Sequence, residues 1–313
     1  MATLLVSHSA FLDHAVPPGH PERPDRIRAI ERALSATPFA PLLREAAPEG
    51  TLDQVMLVHP ESHVERIRGL LPKTGFARID SDTLLSPGSW EAALRAVGAS
   101  IAAVDAVTTG RARNAFAAHR PPGHHAERTT AMGFCIFNNA AIAARHAQLA
   151  HGAERVAIVD FDVHHGNGTQ EIFWSDPSVL YASTHQMPLY PGTGARGETG
   201  EHGTIVNAPL APGAGGAAFR EAMEARILPA VKRFRPDLLV VSAGFDAHAD
   251  DPLAQLNLVE DDFAWVTHRL MDVADAACGG RIVSVLEGGY DLEALALSAA
   301  AHVGALMGIA DDA

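Results

Sequence analysis

Cysteine is nearly absent from this chain, and with only Cys135 and Cys278 present a disulfide framework is excluded and a reducing compartment is favoured. Neither cysteine stands at metal-motif spacing. Long apolar runs are missing too. No stretch is apolar enough to span a bilayer, and the opening Met-Ala-Thr-Leu-Leu-Val-Ser-His has no basic leader or extended apolar region. The expectation is a cytoplasmic protein with no membrane partner. Ser- or Gly-rich linkers and charge runs are also lacking, so nothing divides the sequence and residues 1–313 read as a single domain.

Positive charge is in deficit: Lys plus Arg number 24 against 37 for Asp plus Glu, a formal net charge of −13. That is the wrong sign for tracking a phosphate backbone, so direct nucleic-acid binding is not expected. The same balance suits a cationic partner such as a basic peptide tail or a polyamine, although a solvated acidic surface is the plainer reading. What is present in abundance is core material. The chain is 47% hydrophobic and 19% charged over 313 residues, which suffices for a large globular core.

Short β-branched runs alternate with longer helical patterns. Arg155–Asp160, Val179–Thr184, Asp237–Ser242 and Arg281–Leu286 read as buried parallel strands. Between them, Ala-rich amphipathic stretches predict helices at Trp90–Val107, Asn138–Leu149, Gly216–Phe234, Asp262–Ala277 and Leu292–Met307. This alternation implies an α/β fold whose parallel sheet is covered by helices on both faces. Ligands in such folds bind at the carboxyl ends of the strands, and the residues following the runs here are unusually polar. Val159 leads into Asp160-Phe-Asp-Val-His-His165, Ser242 into Ala-Gly-Phe-Asp246, Leu286 into Glu-Gly-Gly-Tyr290, and Ala117-Ala118 into His119-Arg-Pro-Pro-Gly-His-His125.

Asp162-Val-His164 puts a carboxylate and an imidazole on the same side of an extended strand end. Alone the pair is weak evidence, but Asp246 from another strand end completes a three-ligand set with open positions, the pattern of a catalytic zinc site. Iron or cobalt could also fit two carboxylates and an imidazole. His124 and His125 follow a rigid Arg120-Pro-Pro-Gly123 turn and could move the protons that amide hydrolysis requires. Asp160 and Asn167 are placed to orient those rings, and the competing reading of Asn167 is turn formation in Asn-Gly. Tyr290 offers a phenol to a developing oxyanion, against the plainer reading of a packed tyrosine. His8, His14, His59, His63, His146, His151, His202, His268 and His302 are read as ordinary surface or core residues.

Arg120-Pro-Pro-Gly-His-His125, Gly133-Phe-Cys-Ile-Phe-Asn-Asn139, Asp160-Phe-Asp-Val-His-His-Gly-Asn-Gly-Thr-Gln170, Ser242-Ala-Gly-Phe-Asp246 and Leu286-Glu-Gly-Gly-Tyr290 together resemble the histone deacetylase superfamily. The motifs run in family order across most of the chain. The resemblance implies an arginase-like, deacetylase-like α/β fold with a mostly parallel central sheet of about eight strands. Carried over by position, it implies zinc ligands at Asp162, His164 and Asp246, tandem histidines at His124 and His125, a transition-state tyrosine at Tyr290, and an acceptor for His124 at Asp160. Asn167 stands where some branches place an aspartate, as in members resembling class II enzymes and bacterial amidohydrolases. That weakens the negative field on His125 and leaves the division of acid and base labour between the histidines open.

The resemblance further implies a narrow apolar substrate tunnel, with Gly133, Phe134 and Tyr190 on its walls and Arg26 near an internal cavity that accepts acetate; Pro24-Asp25 is also a helix-start signal. It implies a structural potassium ion held by groups of Asp160, Asp162, His164, Ser183 and Thr184, and an outer cation site around Phe173, Asp176 and Val179. Polyamine-specific relatives carry an acidic gatekeeper or a constricting insertion at the tunnel mouth, whereas here Leu253 follows Asp250-Asp-Pro252. The expected activity is therefore removal of acyl groups from acyl-lysine in peptides or proteins, with acetylated polyamines as the alternative substrate. A non-catalytic acetyl-ligand binding module is a third reading. A dinuclear manganese ureohydrolase, which would use a carboxylate-rich site, is disfavoured because only three protein ligands are evident. The sequence is compatible with a homo-oligomer without specifying one.

Overall fold

The computed structural model describes residues 2–309. Its strands are β1 (Thr3–Ser7), β2 (Leu43–Ala46), β3 (Ala77–Arg78), β4 (Leu84–Leu85), β5 (Asn114–Ala117), β6 (Val156–Asp160), β7 (Val179–Gln186), β8 (Ile205–Leu210), β9 (Leu238–Ala243) and β10 (Ile282–Leu286). The helices are α1 (Asp25–Ala33), α2 (Leu52–Val55), α3 (Glu61–Leu70), α4 (Ser89–Thr108), α5 (Asn139–His151), α6 (Asn167–Phe173), α7 (Gly216–Ala222), α8 (Leu228–Phe234), α9 (Glu260–Cys278) and α10 (Leu292–Met307).

Eight strands form one sheet in the order β2-β1-β5-β10-β9-β6-β7-β8, every neighbouring pair parallel, and β3 and β4 form a small hairpin. The central strands are buried on both sides, which is why they read as continuous Val/Ile/Leu/Ala runs rather than alternating ones. Helices α4 and α5 pack together on one face; α1, α10, α9 and α8 cover the other. Each buried Val, Leu or Ile contributes about 1.5–3 kcal/mol. Among the described residues no helix is long and apolar enough to cross a membrane.

Helix ends follow local chemistry. Asn138 accepts the Ala141 amide at the start of α5, Asp291 accepts those of Glu293 and Ala294 at the start of α10, and α1 begins after Pro24 as its sequence signal predicts. The stretch read as one helix over Gly216–Phe234 is corrected: α7 passes through a π-helical turn, Met223–Ile227, before α8. Pro229 stands in the first turn of α8 and has no amide hydrogen for the carbonyl four residues back, so the spiral widens just before it. Strand limits move by a residue or two, β7 running on to Gln186 and β9 spanning Leu238–Ala243. Because the eight strands of the main sheet are parallel, the chain segments leaving β5, β6, β9 and β10 emerge on one rim.

Candidate active site

On that rim the loop after β6 carries Asp162 and His164, and the loop after β9 carries Asp246. His164 Nδ1 lies 3.1 Å from Asp162 Oδ1 and 3.1 Å from Asp246 Oδ2, and donor atoms of the three residues all lie within 4.8 Å of one another. Backbone amides fix the carboxylates: Gly288 N donates to Asp162 Oδ2 at 2.8 Å and Val163 N to Asp246 Oδ1 at 2.9 Å. Two glycines make the approach feasible. A Cβ on Gly288 would sit 2.0 Å from Asp246 Oδ2, and one on Gly244 would sit 2.0 Å from Asp162 Oδ2.

The donor set suits a divalent cation. Asp160, Asp162, Asp246 and Glu287 are buried together with an exposure of 0% each, an arrangement that is costly unless positive charge offsets it. Burial and the neighbouring Asp162 push Asp246 up to about 7, and burial with Asp160 pushes Glu287 up to about 7. Burial alone would lower His164, but the carboxylates of Asp162 and Asp246 raise it to about 10. Two carboxylates and one imidazole with room for further ligands are first-row transition-metal chemistry, zinc included.

The loop after β5 brings in the tandem histidines, their ring centres 4.1 Å apart. His124 Nδ1 is 2.9 Å from Asp160 Oδ2, which also accepts the Tyr181 hydroxyl at 3.0 Å. His125 Nδ1 is 2.8 Å from Asn167 Oδ1, and Asn167 Nδ2 donates to Glu127 at 2.9 Å. The two imidazoles are driven apart. Burial works against charge on both, but Asp162 and Asp160 lift His124 well above its ordinary value, whereas His125, facing His124 and His164, falls well below. Of the pair, His125 lines the adjoining cavity and His124 does not.

That cavity has a volume of about 240 Å³; His125, His164 and Tyr290 line it together with Gly133, Phe134, Leu189, Tyr190 and Leu253, and Asp82 is also on its wall. Phe134 is held at φ 68° directly after Gly133 at φ 56°, a left-handed pair that turns the ring onto the wall. A Cβ on Gly133 would lie 2.5 Å from the His125 ring, so glycine is required for space as well as conformation. Thr83, beside the β3–β4 hairpin, accepts the Phe134 amide at 3.1 Å. Tyr190 is 5.1 Å from His125 centre to centre, and Phe134 is 5.8 Å from Tyr290.

Burial raises the Tyr290 phenol well above its ordinary value, so it stays protonated and can donate. Its backbone amide donates to Asp251 Oδ2 at 2.7 Å, while Asp251 Oδ1 accepts the Leu253 amide at 3.0 Å. Arg26, expected beside an acetate-accepting cavity, lies behind Tyr290. Its guanidinium stands 5.0 Å from the Tyr290 ring centre, donates to the carbonyls of Gly289 (2.6 Å) and Glu287 (2.5 Å), and pairs with Glu22 at 3.0 Å. It does not line the 240 Å³ cavity.

Ser183 pairs with Asp160 across β6 and β7 and its hydroxyl meets His185 Nδ1 at 2.9 Å. Thr184 Oγ1 is buried without a hydrogen-bond partner among the described residues. At the expected outer site, the Asp176 carboxylate is engaged by Arg145 and Ser178, and its carbonyl accepts the Thr204 hydroxyl at 3.2 Å.

Several contributors carry no sequence signal of their own. Glu287, just past β10, accepts the amides of Gly123 (2.6 Å) and His124 (3.1 Å) and the Ser242 hydroxyl (3.1 Å), tying the loop after β5 to the end of β9; its only flag was its place before Gly-Gly-Tyr. Tyr181 looks like strand packing, and Asp251 like a loop residue.

Comparison with known proteins is consistent across the chain. A family model described as histone deacetylase domain matches residues 20–306. The histone deacetylase-like amidohydrolase of Pseudomonas aeruginosa is 43% identical over 277 residues, 87% of this chain and 73% of that protein. A probable deacetylase of Archaeoglobus fulgidus is 41% identical over 308 residues, 94% of this chain and 82% of that protein. The crystal structure of the HDA15 HD domain superposes with a TM-score of 0.93 at 40% identity, covering 98% of this chain and 88% of that one.

Proposed function

The chain belongs to the histone deacetylase family, and from that premise we propose that it is a zinc-dependent amidohydrolase that removes acetyl groups from the side-chain amine of acetyl-lysine in peptides or proteins. One observation carries the reading: the Asp162–His164–Asp246 set reaches, through His164, a cavity on whose wall stand an imidazole, His125, and a phenol, Tyr290.

Asp162, His164 and Asp246 would hold a zinc ion, which would supply Lewis-acid chemistry to the acyl carbonyl and the attacking water. His125 is neutral and bonded through Nδ1 to Asn167, which leaves Nε2 to take the proton of that water and later return it to the departing amine. His124, kept protonated by Asp162 and Asp160 and set back from the cavity, holds a positive charge near the reacting centre. Tyr290 donates its hydroxyl to the developing oxyanion, and Gly133, Phe134 and Tyr190 clasp the lysine methylenes while Leu253 closes the apolar wall. Arg26 braces the Gly289 and Glu287 carbonyls from behind, at the end where acetate would leave.

A structural potassium ion would draw on Asp160, Asp162, His164, Ser183 and Thr184, and the unpartnered Thr184 hydroxyl supports that reading. Asp82 on the cavity wall favours a second reading, acetylated polyamines, because a carboxylate there suits a distal ammonium. The testing experiment measures acetate release by zinc-loaded protein from an acetyl-lysine peptide and an acetylpolyamine in parallel, with and without a chelator. Chelator-sensitive release favouring the peptide supports the reading. Release favouring the polyamine reverses the substrate ranking, and no release from either overturns the deacetylase assignment.

A further inference from the structure

Far from the rim, a second group of donor atoms converges where α4 and α5 end. Both helices lead directly into strands, α4 into β5 and α5 into β6, so their last turns lie at the amino edge of the sheet, opposite the active site. Asp105 stands in the last turn of α4; His146 lies in the last two turns of α5 and His151 is its final residue. His146 Nε2 lies 2.7 Å and His151 Nε2 2.6 Å from the same oxygen, Asp105 Oδ1, and donor atoms of all three fall within 4.8 Å of one another. The catalytic donors show the same kind of close N···O approach, at 3.1 Å.

Two further features favour a cation there. Two helix carboxyl ends meet at the cluster, each carrying the negative end of its dipole. The set is also open on one side: Asp105 keeps 46% of its side-chain surface, His151 20% and His146 13%, and a cavity of about 240 Å³ lined by Thr108, His151, Asp237 and Arg281 adjoins it. Waters could therefore complete the coordination. Two imidazoles and one carboxylate select borderline transition metals such as Zn²⁺, Co²⁺ or Ni²⁺ over Mg²⁺ or Ca²⁺, which prefer all-oxygen shells.

We propose that Asp105, His146 and His151 form a second divalent transition-metal site, which clamps the ends of α4 and α5 at the edge of the sheet opposite the active centre. The site is structural, not catalytic. It lies on a different edge from every residue assigned to the reaction.

The test is a zinc count after equilibrium dialysis of the full-length holoenzyme against Zn²⁺ alone, with His146→Gln and, separately, His151→Asn in parallel. Wild type takes up a second equivalent beyond the catalytic one, and both variants take up one. Acetate release from an acetyl-lysine peptide stays within about twofold of wild type in both, as expected of surface changes remote from the chemistry. At ten times the dissociation constant of the second site, the folding equilibrium shifts about tenfold and Tm rises by roughly 2–4 °C in wild type only. The reading is the difference between wild type and the variants: a wild-type count no higher than that of both variants overturns the site, and a count one equivalent higher supports it whatever the rim site holds. The count requires no turnover, so it stands whether or not the deacetylase reading does.

Discussion

Two histidine–carboxylate clusters sit at opposite edges of one sheet, built from the same side-chain types, and they differ in everything around the donors. At the carboxyl edge, Asp162 and Asp246 are fully buried, their oxygens pinned by the Gly288 and Val163 amides, with glycines cleared away so that nothing intrudes. At the amino edge, Asp105 is nearly half exposed and its two imidazoles hang from the end of a helix. Burial strengthens every electrostatic interaction and makes an uncompensated charge costly, so in the proposed reading the first cluster would polarise a substrate and the second would hold helices together. What separates a reactive centre from a clamp is thus the shell behind the donors: Asp160, Asn167, Glu287 and the strand-end amides.

The sharpest way to break this contrast is to remove a donor at the buried edge. Asp246→Ala leaves two ligands and is expected to lower acetate release by about a thousandfold or more; retention of activity within tenfold would show that the rim cluster is no more demanding than the amino-edge one. Next comes the charged support beneath the rim. Glu22, fully buried, bonds both Arg120 and Arg26. Glu22→Ala strands two buried guanidinium groups and should cost about 3–5 kcal/mol of stability in urea melts.

Burial alone would raise the Glu22 carboxyl, but Arg120 and then Arg26 pull it down to about 2 from 4.5. A depressed carboxyl stabilises the fold above its unfolded value, so this contribution is fully present at neutral pH. It is lost as pH falls from about 4.5 through about 2. In Glu22→Gln that acid-range slope should flatten.

Tyr290→Phe removes one oxyanion donor and is expected to lower kcat by about a hundredfold to a thousandfold, near 3 kcal/mol, with KM and the circular dichroism melt little changed. A matching rise in KM at constant kcat would place Tyr290 in ground-state binding instead. The smallest effect belongs to the open edge. In metal-free buffer Asp105→Asn should change stability by about 1 kcal/mol or less, because its pairs are solvent-screened, and leave turnover untouched. A larger loss would mean that the amino-edge cluster is worth more to the fold than its exposure implies.

Much of this was readable from the chain before any fold was known. The runs at Arg155–Asp160 and Arg281–Leu286 named central strands because residues buried on both faces have no polar side to show. The donor residues were legible because they follow those runs immediately, and a carboxylate straight after a buried strand has few structural reasons to be there. Short or weakly patterned elements were not legible. β1, β2 and β8 carry too few residues of distinctive type, and β2 at the sheet edge is mostly exposed. The break in Gly216–Phe234 escaped notice because amphipathic spacing continues across a π-turn, and the proline behind it is tolerated in the first turn of a helix.

His146 and His151 illustrate the limit from the other side. Read singly they are ordinary helix histidines, since their carboxylate partner lies 41 and 46 residues away on another helix.

The sequence by itself determined the α/β class, the central strands and the identity of the metal-type donors, because burial and hydrolytic chemistry both restrict residue choice at single positions. Only the tertiary structure decided that Glu287 ties the loop after β5 to the end of β9, and that Arg26 braces Tyr290 from behind. It alone brought Asp105 to the two imidazoles of α5. These are relations between groups far apart in the chain. Their distances are set by how helices and strands pack, which no local pattern of residues encodes.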